Sequence, residues 1–144
     1  MDIGCPYEKY HSDMTRTVFY RQVEPEMEKI YSLVRLANEE VIKAVKPGVS
    51  FDHLDRLSKE VIAEGGYGPY YNHRAGHGVG LEVHEPPFVC VGNQLCLSPG
   101  MIFSVEPGIY KPGLGGVRIE DLVLVTEQGC RVLNLFPKDL KVIG

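Results

Sequence analysis

The sequence predicts an α+β domain, and three observations carry that expectation. A short strand-like run at residues 14–21 (MTRTVFYR) is followed by two stretches of helical periodicity and then by several strand-like runs. The connections between those later runs are short, which favours an antiparallel sheet with the helices packed on one face. The chain has 144 residues, 44% hydrophobic and 24% charged, which suits one soluble domain with an ordinary core.

Residues 14–21 are rich in Thr, Val and aromatics, so a strand is expected there. The period then changes. Met27, Ile30, Tyr31, Val34, Ala37, Val41, Ile42 and Val45 recur at steps of three and four, predicting an amphipathic helix of about 20 residues. Pro25 suits its first turn and Pro47-Gly48 its end. Ser50 is the expected N-cap of a second helix. That helix should bury Phe51, Leu54, Leu57, Val61 and Ile62, leave His53 at the surface and stop at Gly65-Gly66. Strands are expected at 77–84, 101–106, 117–125 and 130–135, with turns at LSPGM and EPGIYKPGLGG. No linker, low-complexity tract or second domain interrupts this order.

Composition excludes several functions. A net charge of −4 argues against a broad nucleic-acid surface. No apolar run reaches the roughly 18 residues of a membrane span. MDIGCPYEKYHSD lacks the basic and apolar regions of a secretory signal. The four cysteines form no C-x-x-C pair, so free thiols in a reducing cytoplasm are expected.

The chemistry concentrates in HRAGHGVGLEVHE, residues 73–85, and in four carboxylates. Asp2 sits in MDIG, Asp13 in YHSDMTRT, Glu106 in FSVEPGIY and Glu120 in GVRIEDLVLV. Each lies in or beside an expected strand, where a carboxylate is costly unless something neutralises it. Four carboxylates and one glycine-flanked imidazole suit two divalent cations, with Mn, Fe, Co or Zn favoured by that mix of oxygen and nitrogen donors. Ion pairs with Arg16, Arg118 and lysines would neutralise the same acids. His73 and His77 have the spacing of a helical zinc site, but Arg74 stands where that motif needs Glu, and the glycines oppose a helix. GHGVG is not a GxGxxG loop, and no G-x-S-x-G elbow occurs. Gly76, Gly78 and Gly80 are read as letting substrate and metal approach the strand backbone, with a bulge as the alternative.

DIG with YHSDMTRT, HRAGHGVGLEVHEPP, GMIFSVEPGIY and GVRIEDLVLVTEQG resemble the pita-bread metallopeptidases, in the Xaa-Pro peptidase branch of prolidases and aminopeptidases P. The motifs occur in the family's order, with 11 residues from Asp2 to Asp13, 64 to His77, 29 to Glu106 and 14 to Glu120. The resemblance implies a partial pita-bread fold, a curved antiparallel sheet with helices on one face. It makes residues 1–144 the C-terminal part of a catalytic domain truncated at its N-terminus. It implies that Asp2, Asp13, His77, Glu106 and Glu120 hold two divalent metal ions (Mn, Co, Zn or Fe). Glu106 would also shuttle a proton, His73 and His84 would steady the oxyanion, and Tyr110 and Arg118 would orient the carboxylates.

The implied reaction is hydrolysis of the peptide bond preceding proline by a hydroxide held between two metal ions, whether or not this chain alone is active. A creatinase-like hydrolase or a non-catalytic binding module of the same fold are the alternatives. The resemblance also implies an exposed apolar sheet face, and hence a homo-oligomer.

Overall fold

The computed structural model describes all residues, 1–144. Five short strands lead in: β1 (Asp2–Ile3), β2 (Pro6–Tyr7), β3 (Tyr10–His11), β4 (Met14–Thr15) and β5 (Phe19–Tyr20). Helices α1 (Pro25–Ala44) and α2 (Phe51–Glu64) follow, then a 3₁₀ turn at Gly68–Tyr70. The remainder is β6 (Gly76–Gly78), β7 (Glu85–Val89), β8 (Ile102–Val105), β9 (Gly108–Lys111), β10 (Gly115–Arg118), β11 (Asp121–Val125), β12 (Cys130–Val132) and β13 (Val142–Ile143). The main sheet has the order β12-β11-β8-β6-β7 and is antiparallel throughout. The α+β expectation holds.

The helices form where their periodicity places them. α1 spans 20 residues with Pro25 in its first turn, where the missing N–H costs nothing. The Ser50 hydroxyl accepts the backbone N–H of His53 and caps α2. His53 is exposed, as expected. The α2 stripe differs from expectation. Leu57 and Val61 are only half-buried, whereas Asp55 and Ser58 are fully buried. The reason is that α2 faces backbone donors at the sheet edge. Asp55 accepts from the N–H groups of Ala75 and Val91, both at 2.9 Å, and from Lys59.

The sheet strands differ more, because the chain changes partners within single apolar runs. The run at 14–21 is broken: β4 pairs with β1 and β5 with β13, while Arg16 between them turns inward. The run at 117–125 divides at Ile119-Glu120, since β10 pairs with β9 and β11 with β8. Strand 77–84 is only Gly76–Gly78, with β7 following it. Two prolines hide β7 from a reading for strands, yet it lies at the sheet edge, where a proline's missing donor is tolerated.

One alternation positions the site. Phe103, Val105, Val123 and Val125 pack against Val41, Val45, Phe51 and Leu54 of the helices. Ile109, Val117 and Ile119 pack against Ile30, Tyr31, Val34, Ala37 and Ile62. Odd-numbered residues of these strands therefore face the helices. The even-numbered Ser104, Glu106, Arg118 and Glu120 project to the opposite face, because side chains alternate along a strand. Each fully buried large aliphatic or aromatic on the helical side contributes about 1.5–3 kcal/mol, and that burial holds the cleft residues in place.

Candidate metal centre

The strands from 102 to 125 keep one register across their break. Asp121 stands opposite Val105 in β11–β8, and Arg118 opposite Gly108 in β10–β9. Glu106 and Glu120 thus face each other where the ladder opens. Directly opposed like charges are destabilising in a sheet. At the opening, the backbone N–H of Glu106 goes to Ala75 and that of Glu120 to Thr15. Each glutamate is thereby tied to another segment of the site.

Those segments bring the remaining candidate ligands. Asp13 directly precedes β4, and Asp2 lies opposite Thr15 in the β1–β4 pair. His77 is central in β6 and 2% exposed. Its Nδ1–H donates to the Gly78 carbonyl at 3.1 Å, which leaves Nε2 facing Glu106 at 3.1 Å and Asp13 at 3.8 Å. The ligand atoms of Asp13, His77 and Glu120 all lie within 4.8 Å of one another. Asp2, Asp13, His77, Glu106 and Glu120 line one cavity of about 410 Å³, together with His11 and His84. All five expected ligand residues are on one side of the sheet.

The alternative of a salt-bridge web covers only one of the acids. Arg16 pairs with Asp121, not with any of the four. Arg118 does pair with Asp2, at 2.6 Å, and its other nitrogens donate to Tyr110 Oη and Thr15 Oγ1. Asp13, Glu106 and Glu120 have no Lys or Arg partner.

Burial dominates the electrostatics. It pushes Glu120 up to about 7, against the opposing pull of the Thr15 hydrogen bond. Burial also raises Asp13, although His77 pulls it down. Glu106 is lowered: burial pushes it up, but the hydrogen bond and charge of His77 outweigh that. His77 is raised, because burial is outweighed by Glu106 and the Gly78 carbonyl. Hard oxygen donors with one imidazole nitrogen, crowded and short of positive charge, fit divalent cations of the Mn–Zn series.

A second cavity of about 630 Å³ adjoins the first and shares His84 and Glu106 with it. Asn72, His73, Arg74, Tyr110 and Arg118 complete its lining. The exposed His84 ring stands 4.2 Å from that of His77. His73 Nδ1–H donates to the Arg74 carbonyl at 2.7 Å, and its buried Nε2 has no partner. Burial lowers the His73 pKa, and a neutral ring that donates from Nδ1 would present Nε2 as an acceptor.

Reading the sequence missed several cleft residues. His11 lines the metal-side cavity, and its one signal was its place two residues before Asp13. Ser104 Oγ accepts the His77 N–H at 3.0 Å and lies 3.3 Å from Glu106. Asn134 donates to the Asp13 carbonyl at 3.0 Å from 121 residues away. Gly76 and Gly78 each have a close backbone neighbour. A Cβ on Gly76 would lie 1.9 Å from the Ser104 carbonyl oxygen, and one on Gly78 2.6 Å from that of Glu85. They admit neighbouring strands, and the ladder bulges between His77 and Gly78, the alternative expected for these glycines.

Residues 1–127 match the profile of metallopeptidase family M24, and the chain belongs to that family. It is 45% identical over 142 residues to an Xaa-Pro dipeptidase of Lactobacillus helveticus, covering 99% of this chain and 39% of that protein. It superposes on the prolidase from Pyrococcus horikoshii OT3 with a TM-score of 0.95 and 43% identity, over 96% of this chain and 40% of that one. For the X-Pro aminopeptidase from Thermotoga maritima MSB8 the TM-score is 0.96 at 42% identity, over 99% and 40%. The fold is therefore part of a pita-bread fold, and the chain spans about 40% of the length of these relatives.

Proposed function

We propose that residues 1–144 are the C-terminal part of a catalytic domain that hydrolyses the peptide bond preceding proline, as an Xaa-Pro dipeptidase or an aminopeptidase P type enzyme. The observation that carries this reading is the facing pair Glu106 and Glu120, opened onto one cavity with Asp2, Asp13 and His77. These five residues would hold two divalent ions, from Mn, Co, Zn or Fe. Such ions acidify a water and polarise a carbonyl.

The chain's own groups do the rest. Glu106, held ionised by His77, accepts a proton from water and returns it to the leaving prolyl nitrogen. A positioned acid–base of this kind contributes roughly 10²–10⁴-fold. His84 borders both cavities and suits a hydrogen bond to the carbonyl oxygen as it gains charge. His73 Nε2 suits a substrate N–H instead. Arg118, braced by Tyr110, fixes Asp2. Four free thiols suit a reducing cytoplasm. No helix is long and apolar enough to cross a membrane. An exposed apolar recess formed by Met1, Ile3, Met14 and Phe136 supports self-association, which sedimentation across a concentration series would test.

The decisive experiment offers an Xaa-Pro dipeptide, a Xaa-Pro tripeptide and a methionyl peptide with added Mn or Co. Release of proline or of a prolyl peptide, abolished by chelation, is expected. Cleavage of the methionyl peptide alone would place the chain in a different branch. Tight metal uptake with no cleavage of any of them would leave a binding module.

A further inference from the structure

Thr15 belongs to the YHSDMTRT stretch that carries Asp13. It lies in β4, 4% exposed, two residues after Asp13 and opposite Asp2. Its hydroxyl has one proton to give. Arg118 Nε, which can only donate, points at Oγ1 from 3.2 Å. The hydroxyl proton is therefore free for Glu120 Oε2, which lies 2.6 Å away in a buried contact. The main chain repeats the link, since the Thr15 carbonyl accepts the Glu120 N–H at 3.1 Å. The same carbonyl takes Arg16 Nη1 at 2.9 Å.

These contacts share one consequence. Backbone and side chain of a single residue grip Glu120 from 105 positions away, and no other side chain donates to that carboxylate. We propose that Thr15 is a positioning residue of the metal centre, whose hydroxyl sets the direction of the Glu120 carboxylate and couples it, through Arg118, to Asp2. The proposal rests on the reading that this cleft holds divalent cations. An ordinary satisfied core threonine would need one partner of any kind. Thr15 has two, and each belongs to or directly braces a proposed ligand. A hydroxyl that pre-aims a ligand oxygen strengthens binding because the carboxylate need not be ordered when the ion arrives.

The test uses the whole chain and three variants titrated with Co(II) and, separately, Mn(II). Co(II) uptake is followed by its visible absorption and Mn(II) by calorimetry. Thr15→Val keeps the shape and removes the hydroxyl. Its metal affinity is expected to fall about 10–100-fold, with a changed Co(II) spectrum. Thr15→Ser keeps the hydroxyl and loses a methyl group. It is expected to bind within about threefold of wild type, well inside the range for a lost supporting group.

Should Thr15→Val not fold, Thr15→Cys supplies a near-isosteric weaker donor, and its affinity is expected between those of wild type and a full loss. Affinity and spectrum unchanged in the Val or the Cys variant would overturn the proposal, as would equal losses in Ser and Val. A lower metal-free melting temperature with unchanged metal affinity would mark Thr15 as structural only, and overturns it too. A wild-type chain that takes up no metal overturns the metal-centre reading itself, an outcome distinct from the others.

Discussion

The cleft has two halves that are held in different ways. Asp13, His77 and Glu120 are 6%, 2% and 2% exposed, and the backbone of each is tied to another segment, by Asn134, Ser104 and Thr15 in turn. Across the cavity, the Asp2 side chain is 58% exposed, and Arg118 secures it by one ion pair. Beneath the first half, Arg16 donates to the Glu120 carbonyl at 2.6 Å and pairs with the fully buried Asp121. Lys138 stands 2.8 Å from the other Asp121 oxygen, too oblique for a hydrogen bond but close enough to share its charge. The difference teaches that one half is positioned by the core, whereas the other is positioned by surface electrostatics.

The largest expected effect breaks the first half from below. Arg16→Met leaves Asp121 with only the oblique Lys138 and removes the donor to Glu120. Loss of one partner of a buried pair costs about 3–5 kcal/mol. The paired variant Arg118→Met releases Asp2 at the surface and should cost about 1 kcal/mol or less in stability. Denaturant melts of both variants check this. Equal costs would erase the distinction between the halves.

Metal affinity sharpens the same contrast. His77→Ala removes the one proposed nitrogen ligand from the buried half, and uptake of Mn or Co should weaken by more than about 100-fold, beyond what loss of a supporting group costs. Asp2→Ala should cost less, about 10-fold, because its carboxylate is exposed and already shared with Arg118. Calorimetric titration reads both. An Asp2→Ala loss as deep as that of His77→Ala would mean that exposure is a poor guide to a ligand's weight.

How much of this was legible in the sequence depended on distance along the chain. The helices were, because burial at steps of three and four is a local pattern, and α1 and α2 begin where Pro25 and Ser50 signal. Glu106 and Glu120 were also visible, as charges inside apolar runs that needed a partner. Strand limits were not. Arg16 and Ile119-Glu120 sit where a single run exchanges one partner strand for another, and that exchange leaves no mark on local composition. The supporting polar groups were equally hidden. Thr15, Ser104, Asp55 and Asn134 act on residues 105, 27, 20 and 121 positions away, so nothing beside them announces a role.

Titration of the metal-free chain probes the buried half. Glu120 stands at about 7 when folded, against 4.5 when exposed. Its contribution to stability is full below the unfolded value and is lost as pH rises through the folded one. Asp13 and His77 are also raised, so their contributions fall in the same direction. Glu106 is lowered, and its contribution disappears only at more acid pH. The metal-free chain should therefore lose stability between about pH 5 and 8, by on the order of 2–3 kcal/mol. Bound cations should flatten that slope, and Glu120→Gln should remove most of it. A metal-free chain whose melting temperature rises over this interval would contradict the assignment of buried, proton-holding carboxylates.

The smallest effect belongs to the exposed half. Tyr110 is 37% exposed, and its hydroxyl accepts from Arg118 at 2.6 Å. Tyr110→Phe removes that acceptor but leaves Arg118 its bonds to Asp2 and Thr15, and water can reach the freed nitrogen. Stability should change by less than about 1 kcal/mol. Metal affinity should shift no more than for Asp2→Ala, because Tyr110 acts on the centre only through Arg118, which keeps its bonds to Asp2 and Thr15. Combining Tyr110→Phe with Asp2→Ala tests the route through Asp2. If that is the only route, the double variant should bind metal no more weakly than Asp2→Ala alone. An additional loss would show that Tyr110 reaches the centre by a second path, through Arg118 and Thr15 to Glu120.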